Sequence, residues 1–349
     1  MKVVREKLLE WYKINKRDLP WRHTKDPYLI WISEVIFQQT RIDQGLEYYK
    51  RFVQRFPNVK ILAESSEDEM LKVWQGLGYY SRARNLHYSA KYIINELNGK
   101  FPNTYDEIIK LKGVGPYTAA AIGSICFDLP TPVIDGNVQR FISRLFAISE
   151  AVNTSKGQKT ISNAIEKIFS KKEPGDFNQA MMEYGATVCK PVNPECDNCC
   201  FNEECFAFQR GIVNELPNKV KANAPKSRFL IYKVYKRMCD GETQYLLYKR
   251  DNESIWKGLY EFPFEEFNSK KSIEAELNEP KSLYGSVSHL EPLKHQLSHQ
   301  TIFAFPILIE FDDKLPINVT LAEWYSVDQI QDLPVSKLIN SVLKSLGVV

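Results

Sequence analysis

Through residues 1–188 the apolar positions recur with helical spacing, whereas beyond residue 228 they fall into short continuous or alternating runs. The first pattern predicts an all-α domain. Asp26-Pro27 supplies an N-cap and a proline at the first helical position for YLIWISEVIFQQTRIDQGLEYYKRF. Thr104 and Glu107 form a T-x-x-E capping box ahead of IIKL. After Asp135, the positions Val138, Phe141, Ile142, Leu145 and Phe146 mark one face of a further helix. Residues 211–227, GIVNELPNKVKANAPKS, carry two prolines without periodicity and read as a linker. FLIYKVYK (229–236) and QYLLYKR (244–250), joined by Cys-Asp-Gly-Glu-Thr, read as a β-hairpin, with a later strand at TIFAFPILIEF (301–311). Helical stretches near 270–277 and 335–346 complete a small second domain. The expected organisation is therefore a mostly α domain over 1–210, a linker over 211–227 and an α+β domain over 228–349.

Composition adds exclusions. With 44% hydrophobic and 26% charged residues in 349, the chain can bury two cores and is not largely disordered. No apolar run reaches the roughly 18–20 residues of a membrane span, and the charged N-terminus has no signal-peptide core, so a cytoplasmic protein is expected. A formal charge of +3 names no partner. Its distribution says more: residues 1–22 hold seven bases against three acids, and 71–100 hold five bases against Glu96 alone. Such surfaces suit a phosphate-bearing ligand, although ordinary solvated helix faces would look the same.

Three constellations carry chemistry. Cys189, Cys196, Cys199 and Cys205, with Cys200 left over, are spaced x6-x2-x5, and four thiolates so close in sequence can surround one soft metal centre. Zinc and iron–sulfur both fit that spacing. In LKGVGPYTA (111–119), Gly113 and Gly115 permit a tight turn before Pro116 opens a helix. Backbone amides at Gly113, Val114 and Gly115 would grip a phosphate without reading sequence, as in a helix–hairpin–helix. A similar turn, Gly76-Leu77-Gly78, precedes Tyr79, Tyr80 and Arg82. Finally, Glu34 sits among bulky apolar neighbours, which should raise its pKa and keep it protonated as a general acid. Asp135 stands just before a helix, where the dipole favours its anion. One protonated and one ionised carboxyl is the pairing that cleaves glycosidic bonds. Each alone has a plain structural explanation, Asp135 as an N-cap and Glu34 as a surface residue of an amphipathic helix.

Taken together, NKRDLPWR (15–22), WISEVIFQQT (31–40), GLGYYSRARNLH (76–87), LKGVGPYTAAAI (111–122), VIDGNVQR (133–140) and the cysteine spacing resemble the MutY-type adenine DNA glycosylases of the endonuclease III superfamily. The resemblance is dense over residues 1–206 and looser beyond. It implies a helix–hairpin–helix glycosylase domain with a 4Fe–4S cluster on Cys189, Cys196, Cys199 and Cys205. The implied reaction is removal of adenine opposite 8-oxoguanine or guanine in double-stranded DNA by a monomeric protein associated with the nucleoid. In that reading Glu34 protonates the flipped adenine, Asp135 stabilises the cationic sugar, Asn137 supports the site and Tyr117 lies against the nucleotide. Trp21, Arg22 and Gln179 match pocket residues, while Gln39 and Tyr79 match residues wedged into the duplex. Bifunctional relatives carry a lysine where this chain has Tyr117, and a phenol forms no imine, so a monofunctional enzyme is implied.

WKGLYEFP (256–263) and LKHQLSHQ (293–300) resemble the family's Nudix-like lesion-reading domain. The segment EEFNSKKSIEAELNEP lacks the glutamate-rich helix that holds magnesium in Nudix hydrolases, which disfavours nucleotide hydrolysis. Ser298 and His299 match a lesion-contacting Phe-Ser-His loop whose first position here is Leu297. Two other readings are an endonuclease III-like pyrimidine glycosylase with lyase activity, opposed by Tyr117, and a non-enzymatic lesion binder, opposed by the intact Glu34 and Asp135.

Overall fold

The computed structural model describes residues 1–221, 224–251, 255–277, 286–311 and 321–349. Two compact units emerge, and the chain passes between them more than once. The first comprises Met1–Ala63 and Tyr88–Ala222, and the second Glu64–His87 and Asn223–Val349.

The first unit is helical: α1 (Lys2–Asn15), α2 (Pro27–Ile36), α3 (Ile42–Arg55) and most of α4 (Val59–Glu64). After α5 (Glu67–Trp74), which belongs to the second unit, α6 (Tyr80–Glu96) leads back into the first. There follow α7 (Tyr105–Ile108), α8 (Pro116–Phe127), α9 (Gly136–Leu145), α10 (Ser155–Ile168), α11 (Pro174–Thr187) and α12 (Phe206–Gln209). Every residue of α8 from Thr118 to Ile125 is buried, which makes it the central helix, apolar all round. Helix α11 packs against α1, α8 and α9. Two glycines allow that closeness: a Cβ on Gly175 would meet Ser124 O at 2.7 Å, and one on Gly185 would meet Asn137 O at 2.6 Å.

Most local signals hold, but the run that opens at Asp26-Pro27 breaks after Ile36 and restarts as α3 at Ile42, with Gln39 at φ 61° between them. Asp26 Oδ1 accepts from Tyr28 N at 2.9 Å and caps α2, as the Asp-Pro pair predicts. The Thr104 capping box does not form, because Thr104 Oγ1 donates to Glu107 Oε2 at 2.8 Å instead of capping the backbone. The expected linker also begins differently. Asn218 O accepts from Val152 N at 2.9 Å, and Val220 exchanges two 2.9 Å hydrogen bonds with Asn153, so residues 218–220 are tied down on the first unit. Ala222 and Asn223, within that linker, lie outside the described residues.

In the second unit, β1 (Lys226–Cys239) and β2 (Glu242–Lys249) form the expected hairpin. Asp240 and Gly241 turn it with φ of 51° and 81°, the left-handed pair that a two-residue hairpin loop requires. With β3 (Tyr260–Glu261), β4 (Phe264–Phe267), β5 (Ser286–His289), β6 (Leu293–Gln296), β7 (Gln300–Phe311) and β8 (Ala322–Ser326), the hairpin builds a mixed sheet with the central order β3-β2-β1-β7-β5. Strands β1 and β7 run parallel from Lys226↔Gln300 to Arg237↔Phe311. Helices α13 (Lys270–Leu277), α14 (Val327–Asp332) and α15 (Lys337–Ser345) complete it. Leu230, Tyr232 and Val234 alternate along β1 and face a core that includes Leu338, Ile339, Val342 and Leu343 of α15. Residues 64–87 join this unit through side chains: Lys72 Nζ donates to Leu333 O at 3.1 Å, Val335 N to Gln75 Oε1 at 3.3 Å, and Arg84 Nη1 to Lys257 O at 2.6 Å. Asp68 pairs with Lys249 and accepts from Tyr260 Oη at 3.2 Å. Among the described residues no helix is long and apolar enough to cross a membrane.

Candidate active site and cysteine loop

A cavity of about 990 Å³ opens where α2, the N-terminus of α8, the N-terminus of α9 and one face of α11 meet. Its lining brings together Glu34, Tyr117, Asp135 and Asn137 with Trp21, Arg22, Gln39, Gly113 and Gly115, residues separated by more than a hundred positions in the chain. Burial pushes the Glu34 carboxyl up to about 7; the Tyr117 hydroxyl opposes that shift and the Asp135 charge adds to it. The Tyr117 hydroxyl has two acceptors in reach, Glu34 and Met182 Sδ at 3.2 Å. Gln38 Nε2 donates to Thr118 Oγ1 at 3.1 Å, tying α2 to the start of α8 beside Glu34.

Asp135 caps α9 through Val138 N at 2.7 Å and accepts from Asn137 Nδ2 at 2.8 Å. Burial raises its pKa even so, against the expectation that the helix end alone would favour the anion. The donors on Val138 and Asn137 and the Arg140 charge pull the other way. Asn137 is fixed in turn by Arg140, whose Nη2 donates to Asn137 Oδ1 at 2.9 Å and to Gly185 O at 2.6 Å. Arg140 Nε donates to Cys189 O at 2.8 Å. A bulkier residue than Gly185 would push α11 off the Asn137 backbone, so this glycine belongs to the site although no motif marked it.

Arg22 is more constrained than a free pocket cation. Its Nη2 donates to Glu183 Oε2 at 2.6 Å and its Nη1 to Arg17 O at 2.7 Å. Arg17 holds the same carboxylate, with Nε on Oε1 and Nη2 on Oε2, both at 2.8 Å. Burial would raise the Glu183 pKa, but the two guanidinium groups outweigh it and hold the carboxyl down to about 2. Arg17 and Glu183 escaped the sequence reading; the RDLPWR run and a lone acid on an apolar helix face were the available signals. Gln179 is not among the lining residues. Met182, Glu183 and Ala186, one and two turns further along α11, occupy the cavity wall instead.

The hairpin before α8 is asymmetric. Gly113 has φ of +84°, whereas Gly115 is extended at −95°. The Val114 amide donates to Leu111 O at 3.0 Å and its side chain is buried, so Val114 shapes the turn rather than offering its amide to a ligand. The amides of Gly113 and Gly115 have no acceptor among the described residues and precede a helix N-terminus, the arrangement that attracts phosphate. Gln39 and Tyr79 are both exposed and both in the left-handed region, at φ of 61° and 48°. Gly76 and Gly78 also have positive φ, and Arg82 lies over the Tyr79 ring. Non-glycine residues held there carry strain, common at functional turns. Ser298 and His299 form the exposed tip of the β6–β7 hairpin, closed by Leu297 N on Gln300 O at 2.8 Å. Tyr79, Ser298 and His299 all belong to the second unit.

Cys189, Cys196, Cys199 and Cys205 line one apolar cavity with Phe141, Arg144, Tyr184 and Phe201; Cys200 is not in that lining. The buried Arg144 places Nη1 3.5 Å from Cys189 Sγ, a cation suited to an anionic thiolate centre. Among the described residues no three His, Cys, Asp or Glu groups close on a single-ion site.

Residues 32–171 match the HhH-GPD superfamily of base excision DNA repair proteins, and residues 235–345 match the NUDIX domain. An adenine DNA glycosylase of Buchnera aphidicola subsp. Baizongia pistaciae is 35% identical, with 98% of this chain and 97% of that protein covered. Another from Buchnera aphidicola subsp. Acyrthosiphon pisum is 35% identical with 97% of each covered. A solved thermostable thymine-DNA glycosylase is similar over 60% of this chain and 96% of its own, with a TM-score of 0.55 and 28% identity.

Proposed function

The chain belongs to the adenine DNA glycosylases, base excision repair enzymes that act on N-glycosyl bonds, and from that premise we propose that it excises adenine paired with 8-oxoguanine or guanine in duplex DNA. The observation that carries this reading is the pair of carboxyl groups in one cavity, Glu34 held at about 7 and Asp135 fixed by two donors. A carboxyl at about 7 still carries its proton in a large share of molecules at neutral pH. Glu34 gives that proton to N7 of the flipped adenine, and the electron pair of the C1′–N9 bond leaves with the neutral base. Asp135, as the anion, faces the oxocarbenium-like sugar until water adds at C1′ and releases a proton. Asn137 holds Asp135, and Tyr117 bounds the nucleotide without an amine to form an imine. The product is an intact strand with an abasic site.

Trp21, packed between Phe37 and Tyr49, forms a rigid wall for the adenine, and Arg22, clamped by Glu183, forms a second. The amides of Gly113 and Gly115 grip a phosphate near the flipped nucleotide. Gln39 and Tyr79 fill the duplex around it, where strained exposed turns supply a stiff wedge. Ser298 and His299 contact the 8-oxoguanine. The glycosylase part is 1–210, although its residues 64–87 cluster with the second compact unit, and the lesion-reading part is 228–349, acting as a monomer on nucleoid DNA. Cys189, Cys196, Cys199 and Cys205 would hold a 4Fe–4S cluster, which ties residues 189–205 into a rigid loop. Arg140 links that loop to Asn137.

A single-turnover assay on a duplex with adenine opposite 8-oxoguanine, split into samples with and without hot alkali, tests the reading. Strand breaks only after alkali are expected. Breaks without alkali refute the monofunctional assignment, and no breaks from correctly metallated protein refute excision.

A further inference from the structure

Tyr184 is not used by the excision chemistry, yet it is among the most completely enclosed polar side chains of the first unit, at 1% exposure. It lies on α11 five residues before Cys189. Its ring is locked by Trp11, Phe141 and Phe201, with centroids at 4.7, 5.0 and 5.0 Å. That packing aims the hydroxyl at sulfur: Oη is 3.0 Å from Cys199 Sγ and 3.4 Å from Cys200 Sγ, its only partners among the described residues. A neutral thiol is a weak acceptor, and a buried hydroxyl left with weak acceptors alone is destabilising. A thiolate is a strong one. The arrangement is therefore satisfied by a metal-bound sulfur on Cys199. Only one of the two adjacent cysteines can take that part, since Cys199 lines the cavity with the other three and Cys200 does not.

We propose that Tyr184 is a positioning residue for the metal-bound thiolate of Cys199, with Cys200 as the outer member of the same hydrogen-bond chain. The Tyr184 O–H donates to the Cys199 thiolate, and the Cys200 S–H donates to the phenol oxygen, so every proton in the chain has one acceptor. Cys200, outside the four-thiolate set, thus orients the tyrosine proton. A hydrogen bond on a ligating sulfur withdraws charge from the metal and stabilises the more reduced state, which raises the reduction potential and protects the centre from oxidative loss. The proposal rests on the cluster assignment above, and the test separates the two.

Full-length wild type, Tyr184→Phe and Cys200→Ala are purified without oxygen and analysed for iron before any potential is measured. All three are expected to hold the same cluster, because phenylalanine keeps the ring packing and Cys200 is not a ligand. The midpoint potential should move to a more negative value in Tyr184→Phe and by less, in the same direction, in Cys200→Ala. Fully metallated Tyr184→Phe with an unchanged midpoint overturns the proposal. Should Tyr184→Phe fail to retain its cluster, Cys200→Ala decides: a negative shift supports the chain of hydrogen bonds and an unchanged midpoint overturns it. Wild type that carries zinc or no iron overturns the cluster assignment itself, and this proposal with it.

Discussion

Replacing Glu34 by glutamine should make the protein both inactive and more stable, with a stability gain that depends on pH. The carboxyl is held at about 7 against an ordinary 4.5, so ionising it costs the folded protein roughly 3 kcal/mol more than the unfolded chain. Below pH 4.5 the group is neutral in both states and the penalty is absent. Between pH 4.5 and about 7 the unfolded chain releases the proton while the folded one keeps it, so unfolding gains ground; above about 7 the penalty is complete. Glutamine has the same shape and no such titration. The stability gap between Glu34→Gln and wild type should therefore widen by roughly 2–3 kcal/mol from pH 5 to pH 8. Urea denaturation of both proteins at the two pH values measures it, and the difference between them cancels the titrating groups that do not interact with Glu34. Single-turnover excision by the variant should fall on the order of 10²–10⁴-fold while duplex binding persists. A gap that stays constant across this range would mean that Glu34 ionises like an exposed carboxylate, and the general-acid reading would lose its physical basis.

Three further outcomes follow from the geometry. Glu183→Gln leaves Arg17 and Arg22 without their shared anion; it should cost about 3–5 kcal/mol of stability at pH 7. That loss should shrink as pH falls from 4.5 toward 2, where wild-type Glu183 is itself protonated, and denaturation at several pH values follows it. Gly185→Ala places a methyl against the Asn137 carbonyl, so excision should slow while thermal melting drops, and a variant with normal kinetics would show that α11 yields without moving Asn137. Gly113→Ala strains a turn at φ +84° by about 1–2 kcal/mol and should weaken duplex affinity with little change in the excision rate of bound substrate, as read by a binding titration beside single-turnover kinetics.

The parts of this molecule that were legible in sequence are those written in local code. Asp26-Pro27, the Pro116 helix start, the Asp135 cap and the Asp240-Gly241 hairpin each follow from one or two residues whose backbone preferences are strong. The Glu34 environment was legible too, because a carboxylate on an apolar helix has few ways to stay solvated. Long-range pairing was not. The parallel match of β1 with β7 joins segments 74 positions apart, as in Lys226↔Gln300, and neither strand encodes its partner. The Arg17–Glu183–Arg22 clamp was hidden for the same reason, since the helix carrying Glu183 is more than 150 residues from the arginines. Gly185 looked like an ordinary helix glycine until the backbone of α9 stood against it. Thr104 shows the converse error, a correct motif whose side chains bond each other.

The discontinuous second unit has a consequence for synthesis. A ribosome delivers residues 64–87 early, but Asp68 meets Lys249 181 positions later, and Lys72 meets Leu333 261 positions later. At about 5–20 residues per second that is a wait of roughly 10–50 seconds. During it, the early helix is held in place covalently by neighbours that belong to the other unit, while its own partners are still untranslated. Completion of the second unit therefore waits for the stretch around residue 333, and a nascent chain stalled before it would still lack the carbonyl that Lys72 reaches.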